Sequence, residues 1–312
     1  MSSRRLRMRR YQGESDYERI RAFLQRVFLL NDRRELSWQA YRFDYWRWHV
    51  IQNLGHGLLE RDVFLWQSTG EEIVAVLNPE GPGYAYLQVD PRYKHPGLEE
   101  AMIAVAEENL RTSSSKGDYQ LKIFANEQDL LRRKILIDRG YRLSGSWEHH
   151  HRRSISSPIQ EPVLPEGYKI RSLRGRTDLP ERSLVSWKAF HPHESMEEYE
   201  GWEWYLNVQR APLYRPDLDL IALSAEGEFA SFCTIWFDVI TRSGSFEPVG
   251  TSPKHQRLGL GKAVIYSGLR KLQELGAEMA FVGSGTEPAS SFYTAIGFQE
   301  REVSQMWVKE WS

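Results

Sequence analysis

A glycine-containing segment at residues 256–262, QRLGLGK, joins an apolar run to a long amphipathic stretch. Glycines at such a junction let the backbone approach a ligand, and the first amides of the helix that follows have no partners within that helix. Together with the positive end of the helix dipole, these amides could bind a pyrophosphate. A tight turn before a packed helix would select the same glycines, so the segment alone favours ligand binding and packing about equally.

Two common phosphate-binding motifs do not match this segment. The dinucleotide-binding fingerprint requires a third glycine where Val264 stands, and the P-loop requires a serine or threonine where Ala263 stands. The segment therefore indicates a glycine loop of another type.

The segment resembles the central motif of the GNAT superfamily of N-acetyltransferases, Gln/Arg-x-x-Gly-x-Gly/Ala, at Gln256, Gly259 and Gly261. Upstream, residues 246–253 (FEPVGTSP) look like the fourth strand of that family, which splays from the fifth so that its backbone can pair with the pantetheine arm of coenzyme A. Downstream, residues 289–298 (ASSFYTAIGF) look like its last motif, a helix that ends in Gly-Phe before a strand. Three motifs in this order across about fifty residues are specific evidence for the resemblance.

The resemblance implies acetyl-coenzyme A (acetyl-CoA) as co-substrate, direct transfer of the acetyl group, and no metal. The residues that it implies for acetyl-CoA binding lie on the splayed strand, in the glycine loop and in the last motif: Val249, Gly250, Thr251, Gln256, Arg257, Leu258, Gly259, Leu260, Gly261, Lys262 and Ser290. Backbone amides near Gly250 and Thr251 would polarise the thioester oxygen. Thr286 stands where many relatives have an asparagine, so one contact to pantetheine or substrate is expected to differ.

Two side chains are expected to move protons. The resemblance implies that Tyr293 protonates the departing thiolate and that Glu247 removes a proton from the amine through water. A core tyrosine beside Phe292 and an exposed strand glutamate are the structural alternatives for these two residues.

The chain is predicted to contain an internal duplication. Residues 155–167 include three prolines, which exclude a helix and disfavour a central strand, so this segment is predicted to be a linker. The same order of elements occurs on both sides of it, and Pro91 and Gly140 in the first half match Pro253 and Gly297 in the second. The repeat length of about 160 residues is that of a whole domain.

The predicted fold class is α/β (α+β), with two tandem GNAT-like domains, each a mixed twisted β-sheet flanked by α-helices. The first domain is predicted over residues 1–154 and the second over residues 168–312. Capping boxes at Ser15 and Ser195 predict helix starts. In the second half we predict strands at 218–224, 229–240 and 245–251, a turn at 242–244, and a long helix at 259–275.

The first half lacks the features of the glycine loop. Pro96 removes a backbone amide from the matching loop, and Glu99 stands where the second half has Gly261. A carboxylate about 4 Å from a phosphate charge costs about 1 kcal/mol in water and about 4 kcal/mol near a protein surface. The positions that match the expected acid and base carry Leu136 and Ala85. We therefore predict a degenerate, non-catalytic first domain, in a paired arrangement similar to that of mycothiol synthase.

Composition and charge argue against several classes of partner. The formal net charge is -1, so no strong field would attract nucleic acid, and the arginines at positions 4, 5, 7, 9 and 10 are predicted to lead into a first strand. No apolar run reaches the roughly 20 residues of a membrane span, and no apolar segment follows the N-terminus as in a secretory signal. The single cysteine, Cys233, is predicted to be a buried thiol, and the histidines at 149–151 lack further ligands for a metal. We expect a cytoplasmic monomer or homodimer.

The predicted function is the transfer of an acetyl group from acetyl-CoA to a primary amine of a small molecule or peptide. The alternatives are a non-enzymatic CoA-binding or recognition protein, an acyltransferase for a longer acyl-CoA, and an aminoacyl transferase, since paired GNAT-like domains also occur in peptidoglycan aminoacyl transferases. The glycine loop favours a CoA donor over a tRNA donor. Loops around residues 190–210, the face of the first domain and the C-terminal strand near Trp307 are expected to contact the acceptor.

Overall fold

The computed structural model describes residues 6–113 and 117–311, so Arg4 and Arg5 of the predicted basic start lie outside the described residues. The chain divides into two compact units. The first consists of the residues up to His150 together with those from Glu302 onward, and the second is His151–Arg301. No helix of the described residues is long and apolar enough to cross a membrane.

The first unit contains a mixed sheet. Its elements in chain order are β1 (Arg7–Arg10), α1 (Glu14–Leu30), α2 (Ala40–Tyr45), a π-helix (Trp46–Ile51), α3 (Gln52–Leu54), α4 (Leu59–Asp62), β2 (Phe64–Gln67), β3 (Ile73–Asn78), β4 (Tyr84–Val89), α5 (Pro96–Asn109), β5 (Thr112–Ser113), β6 (Tyr119–Asn126), α6 (Leu130–Asp138) and β7 (Arg142–Ser154). The strand order is β1-β2-β3-β4-β6, with antiparallel pairs up to β4 and a parallel pair between β4 and β6. The residues of β7 from His151 on belong to the second unit.

The second unit repeats this plan. Its elements are β8 (Lys169–Ser172), α7 (Leu179–Phe190), α8 (Tyr205–Val208), β9 (Asp219–Leu223), β10 (Phe229–Asp238), β11 (Ser243–Thr251), α9 (Leu260–Glu274), β12 (Met279–Ser284) and α10 (Glu287–Ala295), followed by β13 (Glu300–Trp311). The strand order is β8-β9-β10-β11-β12, with antiparallel pairs up to β11 and a parallel pair between β11 and β12.

The last strand departs from the expected division of the chain. β13 pairs antiparallel with β6, from Ser304 opposite Asn126 to Trp311 opposite Tyr119. This ladder places the residues from Glu302 onward in the first unit, although we expected them in a second domain that reaches residue 312. The pattern of a strand predicts that it pairs but not with which strand, because the pairing joins residues that are distant in sequence.

Side chains alternate between two cores in the first unit. Along β2, Phe64 and Trp66 pack into the core beneath α5 and α6, while Leu65 packs into the core beneath α1 and α2. In the second unit, the apolar side of α9, which includes Val264 and Leu269, packs against β9 to β12.

Both predicted helix starts differ in detail from the structure. α1 begins at Glu14 after Gly13, which has φ 120°, and Ser15 does not cap it. The capping box at Ser195 is present but opens only a single 3₁₀ turn, Met196–Glu198. Gly201, with φ 97°, lies between that turn and α8, so the helix expected over residues 199–208 is reduced to Tyr205–Val208.

The turn between β10 and β11 lies earlier than predicted. It spans residues 239–242, and β11 already begins at Ser243. The Asp238 carboxylate accepts a hydrogen bond from the backbone N–H of Ile240 at 2.9 Å, which closes the turn directly after β10. The start of the long helix agrees with the prediction to within one residue, since α9 begins at Leu260 after Gly259.

Candidate active site

The strand β11 separates from β12 halfway along its length. The parallel ladder runs from Ser243 opposite Met279 to Phe246 opposite Val282, and β11 continues to Thr251 beyond it. The backbone between Phe246 and Thr251 therefore has an edge that this ladder does not use. This separation is the one that the sequence predicted, and it leaves donors and acceptors for an extended ligand.

A bulge re-aims β11 at the point of separation. Cys233 of β10 pairs with Val249 and Ile235 pairs with Phe246, so two residues of β11 face one residue of β10. The Trp236 indole N–H donates to the carbonyl oxygen of Glu247 at 2.5 Å and holds the bulged backbone. The bulge and this hydrogen bond together determine where the Glu247 side chain leaves the sheet.

Gly250 is required by packing on the face of β11 that is turned toward α7. A Cβ atom at this position would lie 2.5 Å from Phe232 Cζ and 3.0 Å from Ala189 Cβ. Neither neighbour can retreat easily, because Phe232 is fully buried and Ala189 is part of α7.

We expect the Gly250→Ala variant to be destabilised by about 1–3 kcal/mol, because the added methyl group overpacks this contact. Urea denaturation followed by fluorescence measures the change. Gly283→Ala is the matched control, since no atom lies within 4 Å of a Cβ there. Equal stability of the two variants would contradict the packing role of Gly250.

The glycine loop forms the N-terminus of α9. Arg257 and Gly259 have positive φ angles of 63° and 79°, and Gly259 is the N-cap residue. The backbone there turns left-handed before the helix, a conformation that glycine adopts without strain. A Cβ atom on Gly261 would lie 3.5 Å from both Thr251 Oγ1 and Phe292 Cζ, so this glycine forms the floor of a narrow recess.

The other residues that we expect to bind acetyl-CoA differ in how exposed they are. Gln256, Arg257, Leu258 and Lys262 are exposed, and the Gln256 amide donates to the Thr251 carbonyl oxygen at 3.4 Å. Leu260 and Ser290 are buried, which leaves little of either side chain accessible to a ligand. Val249 packs against the core of the second unit. Thr286, the position that departs from the family, is the N-cap of α10 and accepts from the Ala289 N–H.

Tyr293 lies in α10 and is only 8% exposed. Burial raises the pKa of its phenol well above the usual range, and the nearby charges of Glu247 and Cys233 raise this pKa further. A phenol with a raised pKa keeps its proton at neutral pH, as a proton donor must.

Glu247 lies half-buried on the separated part of β11, directly after the end of the ladder with β12. Beyond the effect of burial, the charge of Glu247 raises the pKa of the Tyr293 phenol, so the two residues lie near each other. A carboxyl group and a protonated phenol at one end of a strand gap are the residue types that a base and an acid require.

His151 is a residue near this pair that the sequence did not identify. It is completely buried, its Nε2 atom lies 3.1 Å from Ser284 Oγ, and its ring centroid lies 6.0 Å from that of Tyr293. We considered the histidines at 149–151 only as metal ligands, and among the described residues no group of three metal-binding side chains is placed to hold an ion. Nothing in the local sequence indicated that His151 would pack beside Tyr293.

Cys233 is buried in β10, and its thiol lies 3.5 Å from the Val264 carbonyl oxygen. Burial raises the pKa of this thiol well above its usual range. Its environment is therefore that of a structural thiol and not of a nucleophile, in agreement with the sequence.

The matching loop of the first unit has a different arrangement from the one we expected. Glu99 does not face outward, because it is completely buried and its carboxylate accepts from Arg132 Nε and Nη2 at 2.8 and 3.0 Å. Our expectation that Glu99 would repel a phosphate is therefore wrong, since the charge is neutralised inside the unit. Instead, the His95 imidazole accepts from the Leu98 N–H at 3.3 Å and Pro96 is the first residue of α5, so side chains of the loop itself satisfy or remove the amides.

Comparison with known proteins identifies relatives of most of the chain and solved structures with a similar fold. The family model described as FR47-like protein matches residues 238–308. The mycothiol acetyltransferase of Pseudarthrobacter chlorophenolicus is 24% identical over 257 residues, which cover 78% of this chain and 77% of that protein. A GCN5-related N-acetyltransferase from Sphaerobacter thermophilus has a TM-score of 0.66 at 16% identity, covering 98% of this chain and 95% of that one. A tandem GNAT protein from the clavulanic acid biosynthesis pathway has a TM-score of 0.68 at 13% identity, covering 98% of both chains.

These findings confirm the resemblance to the GNAT superfamily that the three motifs suggested. The structural likeness extends over nearly the full length of a tandem GNAT protein, which confirms the predicted fold class. The curated relatives are acetyltransferases that match most of this chain. The chain is an acyltransferase with two tandem GNAT-like domains.

Proposed function

We propose that the second unit transfers an acetyl group from acetyl-CoA to a primary amine of a small molecule or peptide, at the gap between β11 and β12. The observation that carries this proposal is the convergence of three features on one strand end. The separated edge of β11, the glycine loop before α9 and the Glu247–Tyr293 pair all belong to residues 247–293.

The recess at the start of α9 fits a pyrophosphate. The first amides of α9 have no partners within the helix, the helix dipole favours an anion there, and Gly261 leaves room between Thr251 and Phe292. Exposed Arg257 and Lys262 add positive charge at the rim. Pantetheine would extend along the free edge of β11, which brings the thioester toward Glu247.

In the reaction that these residues support, Glu247 and Tyr293 each transfer one proton. Glu247 takes a proton from the ammonium form of the acceptor, directly or through water, and the amine nitrogen then bonds to the thioester carbonyl carbon. Backbone amides near Gly250 and Thr251 donate to the oxygen that becomes negative. As the carbon–sulfur bond breaks, Tyr293 gives its proton to the thiolate. The attacking nitrogen loses its second proton, which returns through water to the Tyr293 oxygen, and the products are the amide and free CoA.

The first unit is proposed to have no catalytic role. In its loop, the Leu98 N–H already donates to the His95 imidazole, and Pro96 has no N–H to offer. Leu136 and Ala85 stand in place of the acid and the base.

We expect calorimetric titration of acetyl-CoA to find one site in the wild type and none in the Gly261→Glu variant. The new carboxylate would face the pyrophosphate, whereas a Cβ at this position meets only ordinary contacts, so the variant folds. Gly97→Glu is the control, because it places the same charge at an exposed position in the first turn of α5, the corresponding helix of the first unit. A site that persists in Gly261→Glu, or no site in the wild type, would refute the proposed location.

We expect the Glu247→Gln variant to lose about 10²-fold in kcat while its affinity for acetyl-CoA stays within about twofold, because an amide cannot accept the amine proton. Thiol release from acetyl-CoA measures the rate with a panel of primary amines, including amines related to mycothiol, after which the relatives are named. Glu287→Gln, an exposed change at the start of α10, is the control. Equal rates for the two variants would exclude Glu247 as the base.

A further inference from the structure

The orientation of the Tyr293 ring depends on packing. Among the described residues, no group forms a hydrogen bond with the Tyr293 hydroxyl. Three rings contact it instead: Phe292 at 5.3 Å, His151 at 6.0 Å and Phe298 at 6.4 Å between centroids. A side chain without a hydrogen-bond anchor takes its position from the neighbours that are themselves held most firmly.

His151 is the polar member of these three rings. It is completely buried, and its imidazole is hydrogen-bonded to Ser284, the last residue of β12. β12 is the strand from which β11 separates, and the gap between them is the proposed site of acetyl transfer. The imidazole is thus attached to one wall of the gap while its ring lies against the phenol that we assign as the acid.

A buried histidine in contact with apolar rings is costly unless its nitrogens are paired. Phenylalanine or leucine would fill the same space without that requirement, so packing alone does not account for an imidazole. The hydrogen bond with Ser284 pairs the Nε2 atom and sets the rotation of the imidazole, and so the surface that Tyr293 meets.

We propose that His151 is a positioning residue that keeps the Tyr293 ring at a fixed place relative to the end of β12. This inference rests on the proposed function of Tyr293. Proton donation depends on distance, and a misplacement of about 1 Å can cost on the order of 10²-fold in rate. His151 does not touch the reacting atoms in this scheme. Its effect passes through the phenol alone.

A double-mutant cycle tests this dependence. We expect His151→Phe to lower kcat about 10- to 100-fold with the dissociation constant for acetyl-CoA unchanged within about twofold. In the Tyr293→Phe background, the same change should have less than about a twofold further effect, because no phenol remains to be positioned. Losses that multiply in the double variant would overturn the proposal, since a general structural defect acts whether or not Tyr293 is present.

Two further variants keep the test valid if His151→Phe does not fold. His151→Gln retains a donor that can reach Ser284 and should recover most of the lost kcat, whereas Ser284→Ala removes the partner and should reproduce part of the loss. A larger loss of kcat in His151→Gln than in Ser284→Ala would contradict a role for the hydrogen bond. The assay measures thiol release from acetyl-CoA with the amine panel, and thermal melting confirms folding.

The proposed function and the positioning role can fail separately. A wild type that binds acetyl-CoA but releases no thiol with any amine would refute the function. Crystal structures of His151→Gln and Ser284→Ala would still decide the positioning role. A displaced Tyr293 ring in Ser284→Ala, with the ring in place in His151→Gln, supports it, and an unmoved ring in both overturns it.

Discussion

Replacing Tyr293 with phenylalanine is expected to lower kcat by about 10²- to 10⁴-fold, the range typical of a lost general acid. The change removes one oxygen atom and keeps the ring that packs against Phe298 and His151, so the fold is retained. The thiolate would then leave without the proton that the phenol supplies. Steady-state thiol release at saturating acetyl-CoA measures the loss, and calorimetry should find the affinity for acetyl-CoA nearly unchanged.

Tyr266→Phe is the matched control for this experiment. Tyr266 is also a buried tyrosine of the second unit, but it lies in α9 and packs in the core. We expect its kcat to stay within about threefold of the wild type. If both variants lose the same activity, the loss reflects the packing of a buried phenol, and Tyr293 is not the acid.

Replacing Asp219 with alanine is expected to destabilise the second unit by about 3–5 kcal/mol. Asp219 and Arg182 are both completely buried, and their salt bridge measures 2.9 Å. The carboxylate also accepts from the hydroxyls of Tyr205, Tyr214 and Thr234. Without Asp219, the Arg182 charge would remain in the interior without a counter-charge, and this is the main cost.

Urea denaturation measures this loss as a lower midpoint with an unchanged slope. Arg215→Ala is the control, because the Arg215–Asp217 pair is exposed and such pairs contribute no more than about 1 kcal/mol. Replacing Asp219 and Arg182 together with apolar residues should recover much of the stability, since no unpaired charge remains. A single Asp219→Ala variant as stable as Arg215→Ala would contradict the assignment.

Loss of the Asp219–Arg182 pair should also affect the candidate active site. The Arg182 guanidinium lies 4.0 Å from the centroid of the Phe232 ring, and Phe232 is the residue that restricts position 250 to glycine. Packing therefore connects the ion pair to the separated strand. We expect acetyl-CoA affinity to fall in the Asp219→Ala variant at temperatures where it remains folded.

Much of the candidate site was predictable because its parts are local. The glycine loop, the strand FEPVGTSP and the helix before Gly297 each depend on the conformations of a few consecutive residues, which sequence patterns record directly. The start of α9 and the strands β9 to β11 lie where they were predicted to within a few residues. The roles of Tyr293 and Glu247 stay predictions, although the structure brings both residues to one end of the gap.

The errors of the sequence analysis have both long-range and local causes. Glu99 was expected to face a ligand, but its partner Arg132 lies 33 positions away in the chain, and no local pattern indicates that pairing. Ser195 does cap a turn, yet Gly201 ends the helical stretch. The preference of each segment is real, but a distant partner or a nearby glycine can override it.

The sequence by itself indicated the class of fold, through the resemblance that three local motifs carry. It also indicated the duplication and the position of the glycine loop, since glycines and prolines act within a few residues of one another. Only the tertiary structure decided that β13 pairs with β6, that Glu99 is buried against Arg132, and that His151 lies beside Tyr293. These three outcomes depend on which distant segments meet. That choice is made by the burial of whole surfaces, to which each residue contributes only a small share of the free energy.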